Sequence, residues 1–346
     1  MNLQDFSYFL PDELIAQHPR PQRGASRMMM LHRRKKTIED SQFSSLPEYL
    51  QRGDVLVIND SRVIPARIYG KKTTGAILEI LLLTRKQTQT SSETWEVLAR
   101  PAKRISENDL INLGHGCSAR VTTRLSDKKW LMEFSAPDGF DQYLEKYGRA
   151  PLPPYIKRKK SVEAESTHDR ERYQTIYAKA AGSIAAPTAG LHFSPEIFDA
   201  LKTKGVVIAP LTLHVGIGTF LPIETDTVEN HVMATEYFEI SPESAEKINS
   251  AKRVIAVGTT STRTLESVAD SKGHIAPQSG ETSLFIYPGY PFKRVNGLLT
   301  NFHLPESSLF LLVCAFADTD FMKKAYAQAV ENRYLFYSYG DCMLIL

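Results

Sequence analysis

The sequence predicts an α/β domain joined to a second, small β-barrel domain. Three observations carry that prediction. Residues 65–150 hold short strand-like stretches at close intervals, separated by polar or glycine-bearing turns, with few helical stripes. Beyond about residue 190, helix-start signals alternate with compact apolar strands. A further apolar strand, Val55-Leu56-Val57-Ile58, stands ahead of the barrel-like region.

Taken in order, Pro11-Asp12-Glu13-Leu14-Ile15-Ala16 begins like a helix that must stop near Pro19. Residues 45–50 read as a second short helix, closed by Gly53, and the strand 55–58 ends at Asn59-Asp60-Ser61-Arg62. Strands are expected at 76–83, 94–99, 118–123 and 130–134, with turns at 86–93 and 114–116. Residues 157–168 are highly polar and read as a mobile loop. Ser194-Pro195-Glu196 and Ser241-Pro242-Glu243 each pair an N-cap serine with proline at the first helical position. Strands at 206–209 and 254–257 follow those helices. A third helix is expected from Thr262 and a fourth over 321–330, where Met322, Ala325, Tyr326 and Ala329 keep helical spacing.

With 42% hydrophobic and 23% charged residues, the composition is that of a globular chain and not a disordered one. The longest apolar run, residues 309–317, is too short to span a bilayer. The N-terminus shows no basic patch followed by an apolar stretch, so a cytoplasmic protein without a membrane partner is expected. Cys117, Cys314 and Cys342 form no paired spacing, and no histidine has metal-ligand spacing, so neither a disulfide framework nor a metal site is expected. Net charge is only +3, yet Arg33-Arg34-Lys35-Lys36 and Lys157-Arg158-Lys159-Lys160 are compact basic runs. They suit an anionic partner, although either run taken alone reads first as a solvated turn.

Four segments combine glycines, hydroxyls and ionisable groups. Ala186-Pro187-Thr188-Ala189-Gly190-Leu191-His192 places a histidine on a stiff turn before a capped helix. His214-Val215-Gly216-Ile217-Gly218 ends a strand, and its glycines admit a ligand close to the backbone or simply make a turn. Gly258-Thr259-Thr260-Ser261-Thr262-Arg263 follows a buried strand and opens a helix. That is a ready anion site, with Arg263 able to add a two-pronged contact. Asn301 and His303 share one strand parity near the C-terminal Tyr337-Ser338-Tyr339-Gly340-Asp341.

These segments, in this order, resemble the S-adenosylmethionine:tRNA ribosyltransferase-isomerase family of queuosine biosynthesis. The likeness also takes in Leu14-Ile15-Ala16-Gln17-His18-Pro19, residues 53–67, Pro151-Leu152-Pro153-Pro154-Tyr155-Ile156 and Tyr173-Gln174-Thr175-Ile176-Tyr177-Ala178. It spans essentially the whole chain. The resemblance implies an α/β domain (1–64 and 156–346) carrying both termini and the active site, with the barrel (65–155) inserted between its halves. It implies S-adenosylmethionine as a substrate, no cofactor, and tRNA bearing 7-aminomethyl-7-deazaguanine in the anticodon loop as partner. Epoxyqueuosine in tRNA, adenine and methionine are the implied products, and a monomer is expected. Two departures stand out. The family's usual His-x-Met-His-x-Glu reads His231-Val232-Met233-Ala234-Thr235-Glu236 here, without the second histidine. Gly24 stands where an aspartate is common.

A sulfonium acidifies the neighbouring C5′–H bonds, so the implied reaction needs a general base with a pKa near the working pH. The candidates, in order, are His192, His214 and His231. Gly258, Thr259, Thr260 and Arg263 are expected to hold the methionine carboxylate. Asn301, His303, Tyr339 and Asp341 are expected on the sugar or base, with Thr188, Gly190, Gly216, Gly218 and Glu236 as further substrate contacts. Asp60 and Arg62 are expected at the domain junction or on tRNA. Two competing readings are a tRNA-binding protein without chemistry and an S-adenosylmethionine methyltransferase. The second lacks a glycine-rich turn after a first strand, and the first leaves the four segments unexplained.

Overall fold

The computed structural model describes residues 1–88, 92–158, 163–220 and 222–346, with side chains described throughout except at 163–167 and 219–220. The chain opens with β1 (Arg27–His32), β2 (Thr37–Gln42), α1 (Leu46–Tyr49), β3 (Asp54–Asn59) and β4 (Ser61–Val63). Six strands follow: β5 (Arg67–Lys72), β6 (Ile77–Thr88), β7 (Glu93–Arg100), β8 (Leu110–Gly114), β9 (Cys117–Arg124) and β10 (Lys129–Ser135). Next come α2 (Phe140–Tyr147), α3 (Glu163–Arg172), β11 (Ala180–Ser183), α4 (Pro195–Thr203), β12 (Val207–Leu213) and β13 (Glu236–Ile240). The rest comprises α5 (Pro242–Asn249), β14 (Arg253–Val257), α6 (Gly258–Val268), β15 (Gln278–Thr282), β16 (Gly297–Asn301), α7 (Ser308–Ala317), α8 (Thr319–Glu331) and β17 (Cys342–Ile345).

β5 to β10 close into a barrel, in the order β10-β7-β6-β5-β8-β9. Closure leaves no free edge, and alternate residues such as Ile80, Val97, Val121 and Met132 fill the interior. Nine strands from both sides of the barrel segment build one mixed sheet, ordered β15-β13-β12-β3-β14-β16-β17-β1-β2. β12, β3, β14 and β16 run parallel at its centre. Their apolar side chains are divided between cores on the two faces, Val57 and Ala256 on one side and Leu56 and Ile255 on the other. That explains their unbroken apolar runs, since a parallel sheet is covered on both faces.

Several expectations are corrected. The helix over 11–16 is a single 3₁₀ turn at Asp12–Leu14, because Ile15 is taken into a bridge with Phe336. The expected loop 157–168 is in part helical, since α3 starts at Glu163, and residues 159–162 lie outside the described residues. α6 starts four residues earlier than expected, at Gly258. The polar turn expected from residue 86 is shorter, as β6 runs to Thr88, and residues 89–91 lie outside the described residues. The apolar run 309–317 is buried as α7, and no described helix is long and apolar enough to cross a membrane.

α6 is anchored at its far end by Glu266, 1% exposed, whose carboxylate accepts the backbone N–H groups of Lys293, Arg294 and Val295 at 2.8–3.0 Å. Removing that carboxylate strands three donors. Glu266→Ala is therefore expected to lower stability by about 3 kcal/mol or more. A urea-unfolding midpoint unchanged from the parent protein would contradict this.

Candidate active site

In open α/β sheets, ligands collect at the carboxyl ends of the strands. Here β12, β14 and β16 are part of one parallel run, and the residues that follow them meet there. A small cavity there is lined by Thr188, Val215, Gly258, Thr259, Thr260, Asn301 and His303, among others. The four segments singled out in the sequence thus converge.

One wall is the start of α6. No side chain caps this helix, so its first-turn N–H groups and the positive end of its dipole face the cavity. The hydroxyls of Ser261, Thr262 and Thr264 turn back onto carbonyls four residues earlier, at 2.9–3.1 Å. The Thr260 hydroxyl is buried without a partner. Facing it, Asn301 donates through Nδ2 to the Tyr337 carbonyl (3.0 Å), which leaves its buried Oδ1 unpaired. The cavity therefore offers both donors and an acceptor.

Val215 is shared with a second, wider cleft of about 1030 Å³, where the sheet faces the barrel. His214, Gly216 and Glu236 line it from the sheet side, and Trp95 and Arg85 from the barrel. Arg62, also on its wall, pairs with Glu145 of α2 at 3.2 Å. His214 lies nearly parallel to Tyr237, with ring centroids 5.7 Å apart, and its Nδ1 is buried without a partner. Burial pulls its pKa below the usual 6.5, opposed by the carboxylates of Asp60 and Glu239. The ring rests on Gly182. A Cβ there would lie 2.7–2.9 Å from imidazole atoms, so only glycine permits this approach.

Glu236 accepts the Gly216 N–H on Oε1 (2.9 Å) and Arg263 Nη1 on Oε2 (2.6 Å), with both side chains buried. Arg263 also donates to the Leu284 carbonyl. Nε and Nη1 are thereby engaged within the protein, Nη2 is buried without a partner, and the residue lines neither space, which corrects the expectation of a two-pronged ligand contact. Its place in the site is to hold Glu236.

Of the remaining expected residues, His303 lines the cavity and the others lie outside both spaces. His192 is buried, with Nδ1 2.9 Å from Ser26 Oγ and Nε2 3.1 Å from Asn301 Nδ2. An amide nitrogen only donates, so Nε2 accepts and Nδ1 carries the proton. Both nitrogens are occupied, and burial pushes the pKa down to about 4. His303 is likewise pushed down by burial, to about 3, and contacts the Thr300 hydroxyl. His231 packs edge-on against Phe285, away from both spaces. Asp341 is fully buried and spends its carboxylate on Arg20, the Arg27 N–H and the Leu335 N–H, tying the chain ends together. A role for it on a sugar is thereby corrected. Tyr339 faces a small recess beside His192, its hydroxyl unpaired. Asp60 accepts the Thr212 hydroxyl at 2.7 Å. Gly190 makes room for Tyr177, whose hydroxyl would lie 2.1 Å from an added Cβ, and Gly218 packs on Ala234.

Of the basic runs, Arg33 donates to the Phe316 and Asn296 carbonyls and Lys36 pairs with Asp318. Arg158 pairs with Asp169, and Lys159 and Lys160 lie outside the described residues. Sequence reasoning missed Gly182, Tyr237 and the Tyr155–Ser338 hydrogen bond (2.6 Å) at the cavity wall. The only available signal for Gly182 was the small-residue string Ala180-Ala181-Gly182-Ser183.

Residues 3–345 match a family model described as queuosine biosynthesis protein. The chain is 56% identical to the S-adenosylmethionine:tRNA ribosyltransferase-isomerase of Syntrophus aciditrophicus, with all of both chains covered. It is 48% identical to the protein of that name from Desulforamulus reducens, again over the full length of both. Among solved structures it resembles the S-adenosylmethionine tRNA ribosyltransferase of Thermotoga maritima, with a TM-score of 0.54 and 36% identity, covering 99% of this chain and 100% of that one. A full-length family match and relatives of this identity place the chain in one family: it belongs to the queuosine biosynthesis proteins.

Proposed function

We propose that this protein transfers and isomerises the ribosyl moiety of S-adenosylmethionine onto 7-aminomethyl-7-deazaguanine in the anticodon loop of tRNA. The products are epoxyqueuosine in tRNA, adenine and methionine. One observation carries the reading: the donor-and-acceptor cavity at the start of α6 adjoins, at Val215, a cleft wide enough for a nucleotide.

In this scheme the methionine end of S-adenosylmethionine lies in the cavity. Its carboxylate meets the first turn of α6 and the Thr260 hydroxyl, and its ammonium meets Asn301 Oδ1. The sulfonium and ribose then point toward Val215, and the RNA base enters from the cleft. His214 replaces His192 as the preferred base, because its Nδ1 is free while both nitrogens of His192 are engaged. His214 removes a C5′ proton, and the proton it gains is available to the departing adenine. The tRNA amine attacks the opened sugar, and epoxide closure expels methionine. Bringing sulfonium, sugar and amine into line is mainly a positioning task. S-adenosylmethionine is a substrate and no further cofactor enters, the protein acting as a cytoplasmic monomer.

Radiolabelled S-adenosylmethionine incubated with precursor tRNA tests the reading. Adenine with methionine is the expected outcome. S-adenosylhomocysteine would point to methylation, and no product to binding alone.

A base must be neutral to accept a proton. Since the His214 pKa is lowered below 6.5, kcat/KM for S-adenosylmethionine should hold level near neutrality. It should fall only on acidification below that value, as the imidazole protonates. An acidic limb centred above pH 7 would speak against His214.

A further inference from the structure

On the wide cleft's wall, β13 and β15 run antiparallel with Tyr237 directly opposite Glu281. Residues so paired project from the same face, with Cβ atoms about 5 Å apart. Both line the cleft. Tyr237 is 41% exposed, and His214 backs it nearly parallel, with ring centroids 5.7 Å apart. Three other carboxylates on this wall are neutralised by arginine: Asp141 by Arg85, Glu145 by Arg62 and Glu236 by Arg263. Glu281 has no hydrogen bond or ion pair among the described residues. An aromatic face and an uncommitted carboxylate thus stand side by side.

We propose that this pair is a seat for a guanine-type base, with Tyr237 stacking on the ring and Glu281 accepting from its pairing edge. A carboxylate only accepts hydrogen bonds. Guanine, and its 7-deaza relatives, offer two neighbouring donors there, N1–H and the 2-amino group. Adenine and cytosine set an acceptor beside their donor, and uracil flanks its single N–H with two acceptors, so each meets the carboxylate with repulsion. Holding the pairing edge leaves a substituent at position 7, on the other side of the ring, free to react. The seat rests on the function proposed above and names the part of the cleft that selects the base. Tyr237 and Glu281 are specificity-determining residues in it, and neither moves a proton.

The test uses two anticodon stem-loop RNAs, one carrying 7-aminomethyl-7-deazaguanine and one carrying the same base without its 2-amino group. The parent protein should prefer the first by about ten-fold or more in kcat/KM for RNA. Glu281→Ala, at an exposed position, should raise the KM for the first RNA to a similar degree and erase the preference, leaving the KM for S-adenosylmethionine unchanged. Tyr237→Ala should weaken both RNAs by about ten-fold or more, and Tyr237→Phe should restore them. Retention of the preference by Glu281→Ala, or a normal RNA KM in Tyr237→Ala, overturns the seat. Binding of the two RNAs, read by fluorescence anisotropy, separates this from the parent reading. If the parent protein releases no adenine, that reading fails. A binding preference that Glu281→Ala abolishes still supports the seat, and equal binding of both RNAs overturns it.

Discussion

Replacing His214 with asparagine is expected to slow adenine release by about 10²–10⁴-fold, the usual contribution of a positioned general base. The expectation rests on the imidazole of a cleft-lining residue, beside Val215, whose Nδ1 is buried and unpaired. Because Nδ1 makes no hydrogen bond, its loss should cost little stability, and tRNA affinity should stay close to that of the parent protein. Single-turnover release of labelled adenine, with saturating tRNA, measures the effect. His192→Ala in the same assay gives the contrast. It removes the acceptor for Asn301 Nδ2, so its defect should show first in the KM for S-adenosylmethionine. Should the His192 variant lose turnover and the His214 variant keep it, the roles given to the two residues would have to be exchanged.

The central strands could be read from sequence because burial on both faces forces continuous apolar runs. Val55 to Ile58 and Val254 to Val257 need no partner information to be recognised. Elements that escaped had weaker local signatures. In β5 the inward residues include Ile68 and Gly70, the latter small because Ile111 and Leu113 press against it. α7 is apolar on nearly every side, so it shows no stripe of period 3.6 and reads only as a hydrophobic run. β13 spans five residues, too few for its alternation to stand out.

Legibility at the site follows the same division. A helix opening after a buried strand, as at Val257 and Gly258, is a local feature and marked the anion-binding wall. Which histidine is free is not local. His192 is engaged by Ser26 and Asn301, 166 and 109 residues away. The commitment of Arg263 to Glu236 likewise spans 27 residues and a change of strand. Gly190 looked like a ligand-facing glycine, and the reason for it is Tyr177, a neighbour that only the folded chain supplies.

Arg263→Ala should destabilise the protein by about 3–5 kcal/mol, because it leaves the Glu236 carboxylate buried without its countercharge. Turnover should fall as well. Glu236 holds the Gly216 N–H, two residues from His214, so a displaced Glu236 loosens the turn that aims the base. Stability and positioning can be separated by replacing both partners. In Arg263→Met/Glu236→Leu no buried charge remains, and stability should return to within about 1–2 kcal/mol of the parent. The Gly216 N–H still lacks its acceptor there, so activity should stay low. Urea unfolding of the two single variants and the double variant, with adenine release measured on each, gives the coupling directly. Strictly additive losses in stability would mean that the pair does not act as a unit. Full activity in the double variant would mean that Glu236 does not hold the His214 turn in place.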